Sequence, residues 1–251
     1  MIWVYGLRKN GAVIVKLPKR FDKMPFPSIL QSSIEMNIEK ARFNMIEQQI
    51  RPWNVLNQEV LDMLIVVKRE DYFPAEQKSL AFFDTELPLP DGSKAMTPKL
   101  EARILQELVL KKQENVLLIG AGTGYLAALL AYSARHVTVL ESSKVLHALA
   151  TANLQRNHVS NVDVVLADAF SDKNTGSYDA IVIAGGLEQL PEHLQQQLNV
   201  GGRLLAFVGQ LPALTAKLLT RTSASAVGTQ NLFETVVEPA AGAKPVSHFS
   251  L

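Results

Sequence analysis

A mostly parallel β-sheet with helices on both faces is the fold class this sequence predicts, and three observations predict it. Short apolar runs rich in Val, Ile and Leu alternate with helical patterns from Val116 onward, which is how strand-helix-strand units read. One run passes directly into a glycine turn, Val116-Leu-Leu-Ile-Gly-Ala-Gly-Thr-Gly-Tyr125, and the chain reopens as a helix at Leu126-Ala-Ala-Leu-Leu. The next run, Val137-Thr-Val-Leu-Glu141, ends in a carboxylate 21 residues after Gly120.

The elements follow in order. A helical pattern from Asn37 to Ile50 puts Phe43, Ile46 and Ile50 on one face, and Pro52 stops it. Asn57 can cap a helix from Gln58 to Val67, with Val60, Leu61 and Leu64 inward. From Leu80 to Thr97 the prolines Pro88 and Pro90 and the pair Asp91-Gly92 imply a long loop, of the kind that forms a lid or binding surface. Thr97-Pro98 is a helix start, and Leu100, Ile104 and Leu108 form the stripe behind it. After Glu141 a helix from Ser142 or Ser143 to about Asn157 carries Val145, Leu149 and Ala152 inward. Strands at Val162 to Ala167 and Tyr178 to Ala184 follow, then a helix from Pro191 to Leu198 closed by Gly201-Gly202. Strands at Arg203 to Val208, Ala216 to Arg221 and Leu232 to Val237 complete a set of seven.

Composition limits the function classes. The 251 residues suffice for a sizeable core, and 47% apolar with 20% charged residues is ordinary for a globular protein. With no cysteine there is neither a disulfide nor a thiolate site, which suits a reducing, cytoplasmic setting. A net charge of +1 argues against nucleic acid or an anionic membrane as partner, and no apolar run is long enough to span a bilayer. Residues 1–35 carry a net charge of +4 and show no sustained periodicity. They are expected to be a disordered basic leader, or translation to begin at Met36. The five histidines lack ligand spacing, and no G-x-S-x-G elbow is present, so neither a metal site nor a hydrolase is expected.

The site is expected where the strands end. Glycines at 120, 122 and 124 let a ligand lie against bare backbone, with free amides in the next helix's first turn. A dinucleotide fingerprint needs G-x-G-x-x-G, whereas here the third glycine comes one residue early. The G-x-G-x-G spacing suits a ligand without phosphate, such as S-adenosylmethionine. Ile119, Gly120, Ala121, Gly122, Thr123, Gly124 and Tyr125 on the turn are the candidate contacts, with Ser142, and Glu141 can accept both ribose hydroxyls. Asp168 can accept from the adenine amine, the Ala169 amide can donate to the ring, and the small Ala184-Gly185-Gly186 run can align the reacting atoms and exclude water. As structural alternatives, Glu141 and Asp168 would be helix-end charges and the Ala184 run a tight turn.

These residues also carry a family resemblance. Ala41-Arg-Phe-Asn-Met-Ile-Glu-Gln-Gln-Ile50, Lys68-Arg-Glu-Asp-Tyr-Phe-Pro74, Leu87-Pro-Leu89, the glycine turn, Tyr178-Asp-Ala-Ile-Val-Ile183 and Leu198-Asn-Val-Gly-Gly-Arg-Leu204 together resemble the protein-L-isoaspartate (D-aspartate) O-methyltransferases, from about Met36 to Gly209. The resemblance implies a Rossmann-like class I S-adenosylmethionine-dependent methyltransferase fold with one antiparallel strand near the end of its seven-stranded sheet. The methyltransferase domain would span 36–251, with N-terminal helices and an acceptor-side loop over 36–112 and the core over 113–251. It further implies S-adenosylmethionine as donor and methyl esterification of isoaspartyl carboxylates in damaged proteins or peptides, a repair reaction. Where the family has Thr-Ile-Ser-Gln-Pro, this chain has Lys94-Ala-Met-Thr-Pro98, so the family's acceptor-side serine falls on Met96. Thr97 then becomes the candidate catalytic hydroxyl, or a plain helix cap. Met96 and a C-terminal end without the family's Phe-Val-Pro-Leu leave two alternatives open: another acceptor on the same scaffold, or a cofactor-binding homologue without transferase activity.

Overall fold

The structure, a computed structural model, describes residues 7–9, 12–14, 28–170, 176–210 and 213–243. The chain divides into two compact units, residues 1–40 and 41–251. In the first, β1 (Leu7–Lys9) pairs antiparallel with β2 (Ala12–Ile14), Arg8 opposite Val13. Helix α1 (Ser28–Met45) begins well ahead of the expected Asn37. Most of the expected leader lies outside the described residues.

The second unit is built on a seven-stranded sheet of order β5-β4-β3-β6-β7-β8-β9. Its strands are β3 (Asn115–Ile119), β4 (His136–Glu141), β5 (Val162–Leu166), β6 (Tyr178–Leu187), β7 (Leu198–Gln210), β8 (Ala213–Arg221) and β9 (Val227–Thr235). β5 through β7 pair in parallel, whereas β8 runs against both β7 and β9. One strand near the end is therefore reversed, as the resemblance implied. Val116, Val139, Ile181 and Leu205, on four adjacent strands, are fully buried, as a sheet covered on both faces requires.

Helices α2 (Gln58–Val66), α3 (Pro98–Leu108), α4 (Tyr125–Ser133), α5 (Lys144–Arg156) and α6 (Glu192–Gln196) complete the unit. Asn57 caps α2 as expected, accepting from the Glu59 amide at 2.9 Å. The Leu100, Ile104 and Leu108 stripe of α3 is buried.

Three expectations need correction. Phe43 is exposed while Arg42 takes an inward place, ion-paired with buried Glu70; α1 then widens into a π-helical turn over Ile46–Ile50. On α5 the buried positions are Leu146, Ala150, Asn153 and Leu154, and Val145 and Ala152 are exposed. The face is fixed by a polar residue: Asn153 Nδ2 donates to the carbonyls of Tyr72 at 2.9 Å and Thr123 at 2.8 Å. Gly201-Gly202 do not close a helix. They lie inside β7, where a Cβ on Gly202 would stand 2.9 Å from the carbonyl oxygens of Asn199 and Asp179.

Candidate functional site

Strand order reverses at β3, since β4 lies on one side of it and β6 on the other. Loops leaving the carboxyl ends of strands part there, and a cleft opens between them. The cleft is lined by the turn residues Ile119, Gly120, Ala121, Gly122 and Thr123, by Glu141 and Ser142 after β4, by Ala169 after β5, and by Ala184 on β6.

The turn glycines have φ of 93°, 53° and 88° at positions 120, 122 and 124, all in the left-handed region. Two of them do different work. A Cβ on Gly122 would meet no atom within 4 Å, so the backbone there faces open space that a ligand can fill. Gly124 is turned away from the cleft, and its added Cβ would stand 3.2 Å from the Ala150 carbonyl oxygen of α5. We expect Gly124→Ala to cost about 1–2 kcal/mol of stability from the φ value alone, with the close approach adding to it, as read by urea denaturation.

Glu141 is 3% exposed. Its Oε2 accepts from the Ala121 amide at 2.7 Å and its Oε1 from the Ser143 amide at 2.8 Å. One carboxylate thus ties the glycine turn to the start of α5, and each oxygen keeps lone-pair capacity for a further donor. The structural role and the ligand role are compatible at this residue.

Four residues read as site residues do not line the cleft. Gly124 packs on α5, and the Tyr125 ring is buried with its centroid 5.4 Å from that of Tyr72. Asp168 Oδ1 accepts from the Phe170 amide at 2.9 Å, the local pattern of a capping aspartate. Thr97 precedes α3 but makes no side-chain cap, and its buried hydroxyl has no partner.

Met96, already singled out in the sequence, lines this cleft as well. The structure adds Lys94 and Glu101, which the sequence did not single out, and Glu238 to Ala241 of the C-terminal segment. That segment is laid along β6: the Gly186 amide donates to Glu238 at 2.8 Å and the Ala240 amide to Gly186 at 2.9 Å. A Cβ on Gly185 would lie 2.6 Å from the Ala240 Cα, so the Ala184-Gly185-Gly186 run is a strand kept bare for this crossing rather than a tight turn.

Behind the cleft stands a buried polar network. Arg69, fully buried, donates from Nε to Glu101 at 2.9 Å, from Nη1 to the Ala81 carbonyl at 2.8 Å and from Nη2 to the Met96 carbonyl at 2.7 Å. Its guanidinium also lies 4.8 Å from the Phe73 ring centroid. Burial pushes the Glu101 carboxyl up, against the downward pull of Arg69. Burial likewise raises the Tyr125 phenol, and that of Tyr72 to about 12, so both rings stay neutral. Glu101 carried a signal in the sequence, a carboxylate among the buried residues Leu100, Ile104 and Leu105; Glu238 carried none.

The sequence profile of Protein-L-isoaspartate(D-aspartate) O-methyltransferase (PCMT) matches residues 40–242. The chain belongs to this family. The match passes Gly209 and takes in the C-terminal segment over the cleft. A relative named protein-L-isoaspartate O-methyltransferase 1, from Rhodopseudomonas palustris, is 37% identical over 203 residues, 80% of this chain and 83% of the relative. A protein-L-isoaspartate O-methyltransferase of Koribacter versatilis is 32% identical over 74% of this chain and 83% of its own. In fold, the chain is similar to a crystal structure from Plasmodium falciparum described as a protein-L-isoaspartate O-methyltransferase in complex with S-adenosyl-L-homocysteine. The TM-score is 0.68 at 20% identity, over 80% of this chain and 97% of that one.

Proposed function

We propose that this chain transfers a methyl group from S-adenosylmethionine to the free carboxylate of L-isoaspartyl residues in damaged proteins, beginning their repair, and that it does so in the cytoplasm. Family membership supports the reaction, and the observation that carries the site is the meeting of the glycine turn, Glu141 and Ala184 at one cleft. Residues present there fit the donor. The backbone at Gly122 faces open space, and with Glu101 and Glu238 paired to Arg69 and Lys94, the acidic side chains Asp91 and Glu141 favour a cation such as a sulfonium over a phosphate. The compartment is inferred from the absence of cysteine, and among the described residues no helix is long and apolar enough to cross a membrane.

When bound, S-adenosylmethionine supplies an electrophilic methyl group. The protein's part is to bind, align and exclude water. Glu141 would hold the ribose, Ala169 the adenine, and the turn from Ile119 to Thr123, with Ser142, the remainder. Ala184, small and uncharged, would line the cleft beside the glycine turn and help to align the reacting groups and exclude water. A carboxylate acceptor, with an ordinary pKa of about 4, arrives ionised at neutral pH and needs no general base. Thr97 is proposed as a positioning residue, because it adjoins Met96 and its hydroxyl has no partner.

The test is incubation of the purified protein with labelled S-adenosylmethionine and an isoaspartyl peptide beside its aspartyl twin. Base-labile label on the isoaspartyl peptide alone is the expected result. Label on neither, with the donor bound, would reject the reading.

A further inference from the structure

The cleft is acidic, which favours a sulfonium but opposes the approach of a carboxylate acceptor. Among its described lining residues Asp91, Glu101, Glu141 and Glu238 are acids, and Lys94 is the one cation. Arg69 is directed elsewhere, spending its donors on Glu101 and on the carbonyls of Ala81 and Met96. A carboxylate drawn into such a cleft needs a compensating positive charge at the point of entry.

Lys94 is built for exchange. Its Nζ lies 2.7 Å from Glu238 Oε1 and 3.3 Å from Glu86 Oε2, and all three side chains are partly open to solvent, at 49% for Lys94, 43% for Glu238 and 29% for Glu86. Ion pairs this exposed are weak and screened, so one carboxylate can replace another at little cost. The ammonium has three donors and a flexible stem, and can keep Glu86 while releasing Glu238. Its two partners come from different segments, the loop before α3 and the C-terminal segment, and both Lys94 and Glu238 line the cleft. The backbone hydrogen bonds of Glu238 and Ala240 to Gly186 do not involve the Glu238 side chain, so the segment stays seated when that side chain moves.

We propose that Lys94 is the specificity-determining residue for the acceptor: its ammonium receives the isoaspartyl carboxylate in exchange for the Glu238 carboxylate. The assignment rests on the isoaspartyl reading given above. Lys94 orients the nucleophile and takes no proton from it, so its loss weakens acceptor binding rather than the transfer step.

The experiment is steady-state kinetics with an isoaspartyl peptide for the wild type, Lys94→Met and Lys94→Arg, together with calorimetric binding of S-adenosylhomocysteine to each. Lys94→Met should raise the peptide KM about tenfold, the loss of one charge-assisted contact, with kcat held within about twofold. Lys94→Arg should keep KM close to wild type, and S-adenosylhomocysteine affinity should be equal in all three. A peptide KM for Lys94→Met equal to wild type would overturn the assignment alone. Loss of S-adenosylhomocysteine binding in that variant would also overturn it, by placing Lys94 on the donor side. A wild type that binds S-adenosylhomocysteine but leaves the isoaspartyl peptide unmethylated removes the underlying reading, and the assignment with it.

Discussion

Arg69→Met should destabilise the protein by about 3–5 kcal/mol, the range for removing one partner of a buried ion pair. Arg69 is fully buried and ties Glu101, the Ala81 carbonyl and the Met96 carbonyl into one cluster. Methionine fills much of the same space but offers no donor, so a buried carboxylate and two carbonyls lose their partner together. The loss should also depend on pH, in a direction set by Glu101. Its folded pKa is already raised by burial, and Arg69 is the group that holds it down. A carboxyl whose pKa is raised on folding binds more protons folded than unfolded, so its contribution is fully present below the unfolded value and is lost as pH rises through the folded pKa. Removing Arg69 raises that pKa further, and the destabilisation should be smaller near about pH 5 than near about pH 8. Urea denaturation of both proteins at the two pH values checks magnitude and direction. A pH-independent difference would mean that Glu101 finds another partner in the variant.

Glu141→Ala should weaken donor binding by about tenfold or more, equivalent to about 1.4 kcal/mol. The structure gives a larger reason than the lost ribose contact alone. The carboxylate holds the Ala121 amide of the glycine turn and the Ser143 amide ahead of α5. Alanine removes both acceptors and frees the turn proposed to hold the donor. Glu141→Gln is the informative companion, since it keeps the shape and one acceptor oxygen while losing the charge. It should bind the donor with intermediate affinity, as read by calorimetry. Equal affinity in wild type and Glu141→Ala would place the ribose elsewhere.

The glycine-turn side of this cleft was legible in the sequence, and the side built by Lys94 and Glu238 was not. Gly120, Gly122, Glu141 and Ala184 sit on a turn and strand ends whose positions follow from the alternation of apolar runs, so topology alone brings them to one edge. Lys94 and Glu238 come from segments without periodicity, and meet only because the chain after β9 folds back along β6. Tyr125 illustrates a different limit. Its place in the turn is local, but the direction of its ring is set by Tyr72 and Arg69, distant in the chain. The shifted face of α5 has the same origin, for Asn153 looks like a surface residue until its two carbonyl partners are in place. The pattern of apolar positions tells which strands are buried, and says little about polar residues whose partners are supplied by the fold.

Central to this account is a strand-end edge shaped for an adenosyl sulfonium and unsuited to a phosphate-bearing coenzyme. Calorimetric titration of the purified protein with S-adenosylmethionine and, separately, with NAD tests it most directly. The account predicts saturable single-site binding of S-adenosylmethionine, weakened by Glu141→Ala, and no binding of NAD. Saturable NAD binding lost in the same variant, or no binding of S-adenosylmethionine at all, would contradict it.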